Sequence, residues 1–107
     1  MTISPSEKKA LNILKAKLSE RFGLVDLRVF GSKAKGTAHG HTDLDVLIVL
    51  NETNPSIESE IDDLVYELNI EFDCLITPLY FGKEEIETGP MSESPVYKNA
   101  VSEGIRW

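Results

Sequence analysis

Five consecutive apolar residues, 46–50 (VLIVL), directly follow the aspartates Asp43 and Asp45. Because polar residues do not alternate along this run, it predicts a strand over residues 43–50 that is buried on both faces. Successive side chains of a strand point to opposite faces, so Asp43 and Asp45 share one face at its beginning. Two neighbouring carboxylates repel each other unless a cation binds them, and divalent cations prefer oxygen ligands. The pair therefore predicts a divalent-metal site.

A glycine-serine turn precedes this pair by ten residues. Gly31 and Ser32 follow the apolar segment Leu24–Phe30, which is predicted to be a strand. Backbone N–H groups in such a turn can bind phosphate. Metal together with phosphate indicates nucleotide chemistry. The segment between the two features, residues 33–42, has two glycines and no apolar period, which predicts a short helical turn followed by an exposed loop.

Length, composition and charge narrow the class of protein. The 107 residues predict one domain, 1–107, and the apolar content of 41% is ordinary for a globular protein. No apolar run of about 18 residues and no secretory signal pattern occurs, and the one cysteine, Cys74, has no internal disulfide partner, which together predict a cytoplasmic protein without a membrane span. The net charge of −7 argues against an extended nucleic-acid-binding surface, although a metal-bridged nucleotide remains compatible.

The remaining pattern predicts helices around a small sheet. Ser4, Pro5 and Glu7 form a helix-start signature, and Gly23 is a natural end for that helix. A second helix is predicted after Asn54-Pro55. Its apolar stripe comprises Ile57, Ile61, Leu64, Val65 and Leu68, and its solvated acidic face comprises Glu58, Glu60, Asp62, Asp63 and Glu67.

Later segments complete a layered α+β prediction. Residues 69–77 are predicted to form a third strand that ends at Pro78, and residues 83–88 a weak helix. A last helix is predicted to begin at Ser94-Pro95 and to end at Gly104. The order helix, strand, strand, helix, strand, helix is typical of helices covering a small sheet.

Asp73 is a third candidate carboxylate. It lies among apolar residues of the predicted third strand, where an unsatisfied acid is costly. If that strand pairs beside the strand of Asp43 and Asp45, the three acids can hold two Mg²⁺ ions about 3.5–4 Å apart, an arrangement that serves phosphoryl or nucleotidyl transfer. The third acid can also help to deprotonate an attacking hydroxyl.

These motifs carry a family resemblance. Gly31-Ser32, ten residues, Asp43-x-Asp45 with its apolar strand, and the later Asp73 resemble the DNA polymerase β-type nucleotidyltransferase superfamily. More narrowly, the chain resembles the minimal nucleotidyltransferases that are the antitoxins of pairs with a HEPN-domain toxin. The resemblance extends over nearly the whole chain, and its closing segment includes Ser94, Pro95, Tyr97, Glu103 and Gly104. It implies a nucleotidyltransferase fold with a small mixed β-sheet flanked by helices.

The resemblance also implies a role for each site residue. Gly31 would let the backbone approach the triphosphate, and Ser32 would hydrogen-bond the β- and γ-phosphates. Asp43 and Asp45 would ligate two Mg²⁺ ions, and Asp73 would complete the site. The reaction implied is attack on the α-phosphate of ATP, which transfers AMP and releases pyrophosphate.

Two positions differ from the commonest pattern of this family. An arginine is frequent where Lys35 stands, and a serine is frequent where Thr42 stands. Lys35 keeps the positive charge of a phosphate-binding residue but lacks the bidentate fork of arginine, whereas Thr42 keeps the hydroxyl.

Other kinds of site fit the sequence less well. Gly31 and Gly36 have the glycine spacing of a P-loop, but Thr37-Ala38 stands where that motif needs Lys-Ser/Thr, so a P-loop ATPase is excluded. His39 and His41 are an alternative transition-metal pair without further cysteine or histidine ligands. The three acids would otherwise be helix caps, turn residues or surface charges.

Three functions follow from the resemblance. The first is transfer of AMP from ATP to a hydroxyl of a partner HEPN toxin, with tyrosine as the expected acceptor. A protein acceptor is expected because the larger relatives hold their acceptors with an added helical domain, for which 107 residues leave no room, so that a partner must present the acceptor. The second is a degenerate antitoxin that neutralises its toxin by binding alone, as Lys35 and the many acids suggest. The third is a small-molecule adenylyltransferase that needs a separate helical subunit. Homo- and hetero-oligomers are both compatible with the sequence.

Overall fold

The computed structural model describes residues 3–31 and 43–107. The helical turn and loop predicted for residues 33–42 therefore lie outside the described residues, together with Ser32 and Lys35.

Helix α1, Pro5–Arg21, begins as the sequence predicts. The Ser4 hydroxyl accepts a hydrogen bond from the Glu7 amide at 3.2 Å, and the Glu7 carboxylate accepts one from the Ser4 amide at 2.9 Å. This reciprocal pair satisfies two amides that have no partner within the helix. Phe22 is the C-cap of the helix, and Gly23 follows with a φ of +64°.

Four strands form a mixed sheet in the order β3-β2-β1-β4. Strands β1 (Leu24–Phe30) and β2 (Leu44–Leu50) pair antiparallel, as do β1 and β4 (Ile105–Arg106), whereas β2 and β3 (Ile76–Gly82) pair parallel. The predicted small mixed sheet flanked by helices is confirmed. Strand β4 has no counterpart in the sequence prediction, because two residues are too short to produce a periodic signal.

Helices cover both faces of the sheet. On one face, α1 and α2 (Pro55–Phe72) pack against Val46 and Ile48 of β2. On the other face, Leu47 and Val49 pack against Ala100 of α4 (Pro95–Glu103). The short helix α3 (Lys83–Glu87) and a 3₁₀ helix (Pro90–Glu93) connect β3 to α4. Strand β2 is therefore buried on both faces, as predicted. No helix in the described ranges is long and apolar enough to cross a membrane.

The strand predicted for residues 69–77 is wrong. Helix α2 continues to Phe72 and is capped by Asp73, and β3 begins only at Ile76 and runs through Pro78. The side chain of Asn69 explains the boundary, because its oxygen accepts a hydrogen bond from the Ile76 amide at 2.8 Å and its nitrogen donates to the Ile76 carbonyl at 3.3 Å. Pro78 is tolerated within β3 because β3 is an edge strand.

Candidate active site

Asp43 and Asp45 lie where three strands meet at one end of the sheet. In the strand register, Asp45 is opposite Phe30, the last residue of β1, and opposite Thr77, the second residue of β3. Asp43 immediately precedes β2 and is exposed, whereas Asp45 is half-buried. The two aspartates therefore flank Leu44 at the beginning of β2, and their role as a metal site stays a prediction.

Thr77 is a site residue that sequence reasoning missed. Its hydroxyl donates to the Asp43 carboxylate at 3.3 Å. The pairing of β2 with β3 extends to this point, since the Leu44 amide donates to the Leu75 carbonyl at 2.8 Å. The parallel register of β2 and β3 brings Thr77 to this point. The sequence prediction places Thr77 at the end of a strand over residues 69–77, but a local pattern does not give the register of that strand with β2.

Gly31 lies directly against the carboxylate of Asp45. Its φ is +76°, a left-handed conformation, and a Cβ at this position would lie 2.5 Å from the nearer carboxylate oxygen of Asp45. A side chain here would therefore meet both a backbone strain of about 1–2 kcal/mol and a steric conflict. Glycine at this position therefore avoids both costs beside the Asp45 carboxylate.

Burial, and then the charge of Asp43, raise the pKa of Asp45 above its usual value. Both causes disfavour the ionised form of a carboxylate. A divalent cation bound between the two acids would oppose both, so the donor set fits such an ion. Among the described residues, no group of three or more His, Cys, Asp or Glu side chains is arranged to hold a metal.

The structure places Asp73 at the end of α2. It is exposed and has a φ of +48°, a left-handed conformation that aspartate tolerates better than most residues. It is therefore not on a strand beside Asp43, and the strand geometry that predicted a three-acid cluster is wrong. Its contribution to the site stays a prediction, as do those of Ser32 and Lys35.

The candidate site combines two neighbouring carboxylates with a glycine turn at the beginning of a central strand. Such an arrangement suits a phosphate compound that is bound through a metal ion. The chain belongs to the nucleotidyltransferase domain family, whose model matches residues 11–104. The chain is thus a nucleotidyltransferase-fold protein. No curated protein sequence matches it.

Several solved structures share this fold. A toxin–antitoxin structure with AMP-PNP is 19% identical, with a TM-score of 0.64, and the match covers 92% of this chain and 72% of that one. An MntA-HpeT toxin–antitoxin variant, in which two aspartates two positions apart are changed to glutamate, is 17% identical, with a TM-score of 0.63 and the same coverages. A structure assigned as a minimal nucleotidyltransferase is 25% identical, with a TM-score of 0.57, and the match covers 92% of both chains. The resemblance to minimal nucleotidyltransferases is confirmed.

Proposed function

We propose that this chain is a Mg²⁺-dependent adenylyltransferase that transfers AMP from ATP to a tyrosine hydroxyl of a HEPN-domain toxin, and that it acts as the cytoplasmic antitoxin of that toxin. The observation that carries the proposal is the Asp43–Asp45 pair beside Gly31, in a chain whose family is the nucleotidyltransferase domain.

The structural relatives support ATP as the nucleotide and a toxin as the partner. One structural relative is a toxin–antitoxin with AMP-PNP, an analogue of ATP, and another is the MntA-HpeT toxin–antitoxin. A shared fold makes these the first substrate and partner class to test, and the tyrosine acceptor and HEPN identity rest on the sequence resemblance.

The residues have distinct roles in this proposal. Asp43 and Asp45 hold the metal, Thr77 is a positioning residue for Asp43 through its hydroxyl, and Gly31 keeps space beside Asp45. Ser32 and Lys35 bind the β- and γ-phosphates, and Asp73 is the third acid. Two bound Mg²⁺ ions would supply positive charge to the attacking and leaving oxygens.

The chemistry is a single displacement. The acceptor oxygen forms a bond to the α-phosphorus, the bond from that phosphorus to the oxygen bridging the β-phosphate breaks, and pyrophosphate leaves. The acceptor proton passes to a carboxylate or to solvent. The product is a toxin that carries AMP on its side-chain oxygen.

Mass spectrometry of the co-expressed toxin tests this proposal. With the wild-type chain we expect AMP adducts on a toxin tyrosine, and with Asp43→Asn a loss of at least about a hundredfold, since metal-held charge stabilises the transition state. Glu87→Gln, an exposed acid on α3, is the matched control and should leave the adduct unchanged. An unmodified toxin with wild type, or equal modification with Asp43→Asn, would overturn the proposal.

A second candidate function is neutralisation by binding alone. The observation that favours it is the position of Asp73 at a helix end, which leaves only two acids together among the described residues. The double variant Asp43→Ala/Asp45→Ala discriminates between the two functions in a growth assay with the toxin. Full protection by this variant supports binding, and lost protection with retained complex formation supports catalysis.

A further inference from the structure

Helix α2 presents two apolar side chains to solvent. Tyr66 and Ile70 are one helical turn apart and are 67% and 65% exposed. They lie opposite the buried residues Ile61, Val65 and Leu68, so the sheet does not cover them. Leu75, after the helix, is 50% exposed. We call Tyr66, Ile70 and Leu75 the α2 patch.

All charged residues of helix α2 are acidic. Six Asp or Glu residues and no Lys or Arg occur within Pro55–Phe72. Asp63, Glu67 and Glu71 are exposed and follow one another at intervals of four, and none of them has an ion pair in the part of the chain that the structure describes. Like charges at this interval destabilise a helix by about 0.2–0.5 kcal/mol per pair.

The acids also oppose the helix dipole. The last turn of α2 contains no basic residue, and Glu71 and Asp73 stand at its negative end. The chain thus maintains an arrangement that is locally unfavourable around an exposed apolar pair. A partner that brings positive charge and apolar side chains would relieve both costs.

Leu75, the last residue of the α2 patch, lies at the same end of the sheet as the candidate active site. The Leu75 carbonyl accepts a hydrogen bond from the Leu44 amide at 2.8 Å, between Asp43 and Asp45 in sequence. A segment seated along the end of α2 and on Leu75 would therefore lie near the two acids.

We propose that the α2 patch and its acidic rim are the docking surface for a basic segment of the toxin, with apolar side chains, and that docking there brings the acceptor hydroxyl to Asp43 and Asp45. This inference rests on the proposed function for the identity of the partner. A second copy of the chain fits poorly because two acidic helices would face each other, and a nucleic acid is repelled for the same reason.

Binding to the HEPN-domain toxin, measured by titration calorimetry, tests the docking surface. All variants carry Asp43→Asn/Asp45→Asn, so binding is separated from AMP transfer. We expect Asp63→Lys/Glu67→Lys to raise Kd by roughly tenfold or more, which is about 1.4 kcal/mol, and to weaken its dependence on salt. The charge-matched control Glu20→Lys/Glu87→Lys changes two exposed acids elsewhere and should change Kd by less than about threefold.

The apolar part is tested separately with Tyr66→Ala/Ile70→Ala. Alanine favours the helix, so the variant should fold, as circular dichroism and thermal unfolding will check. We expect a rise in Kd of about tenfold or more, whereas Val96→Ala, at an exposed apolar position of α4, should have no effect.

The outcomes separate docking from chemistry. Loss of binding with the α2 variants and not with the controls supports the docking surface, even if the wild type transfers no AMP. Unchanged binding by the α2 variants overturns it, even if AMP transfer is observed. Absence of any wild-type binding to the toxin, or a dimer of the chain that Tyr66→Ala/Ile70→Ala dissociates in light scattering, also overturns it.

Discussion

Asp45 carries a negative charge that the folded chain disfavours. Burial and the neighbouring Asp43 raise its pKa above the usual value of 3.8, so the folded chain binds its proton more tightly than the unfolded chain does. Stability therefore falls as the pH rises from 3.8 through the folded-state pKa, and it stays lower at neutral pH. Such an unfavourable charge is typical of a site that a cation completes.

We therefore predict that Asp45→Asn raises the midpoint of thermal unfolding at pH 7 in the presence of a chelator and abolishes AMP transfer. Mg²⁺ should raise the midpoint of the wild type, by binding the folded state, and have a smaller effect on Asp45→Asn. Differential scanning fluorimetry measures both effects, with Glu87→Gln as the control. If the metal-free midpoint of Asp45→Asn lies below that of the wild type, the charge of Asp45 does not destabilise the folded chain.

At the scale of elements, the sequence predicts most of the fold because the signals are local. The capping residues Ser4 and Glu7 identify the start of α1, and the unbroken apolar run after Asp45 identifies a central strand. The boundary near Asn69 depends on a contact with Ile76 seven residues away, which no local pattern contains. Because this boundary is not predicted, the sequence prediction places Asp73 on a strand. It also does not identify Thr77, whose position depends on the register between β3 and β2.

Asn69 should accordingly stabilise the connection between α2 and β3. We predict that Asn69→Ala lowers the free energy of unfolding by about 1–3 kcal/mol, because two hydrogen bonds to the Ile76 backbone are lost. Urea denaturation measures this change. Asn99→Ala is the control, since the side chain of Asn99 makes no hydrogen bond within the described residues. Equal stabilities of the two variants would show that the Asn69 contact does not determine the boundary.

At the scale of the whole molecule, the residues of the candidate active site lie at one end of the sheet. Strand β1 ends there at Phe30, while β2 and β3 begin there beside Asp45 and Thr77. The end of α2, with Ile70 exposed, leads into the same region. A mixed sheet makes this convergence possible, because the parallel pair β2–β3 places two strand beginnings side by side.

In the proposed function, Asp43 and Asp45 support transfer of a nucleotidyl group rather than a phosphoryl group. The most direct measurement incubates the purified chain and toxin with Mg²⁺ and ATP that is radiolabelled at either the α- or the γ-phosphate. We predict that the α-label appears on the toxin, that the γ-label appears only in pyrophosphate, and that Asp43→Asn/Asp45→Asn removes the protein-bound label. A γ-label on the toxin would contradict nucleotidyl transfer, and an α-label that persists without the two aspartates would contradict their role in it.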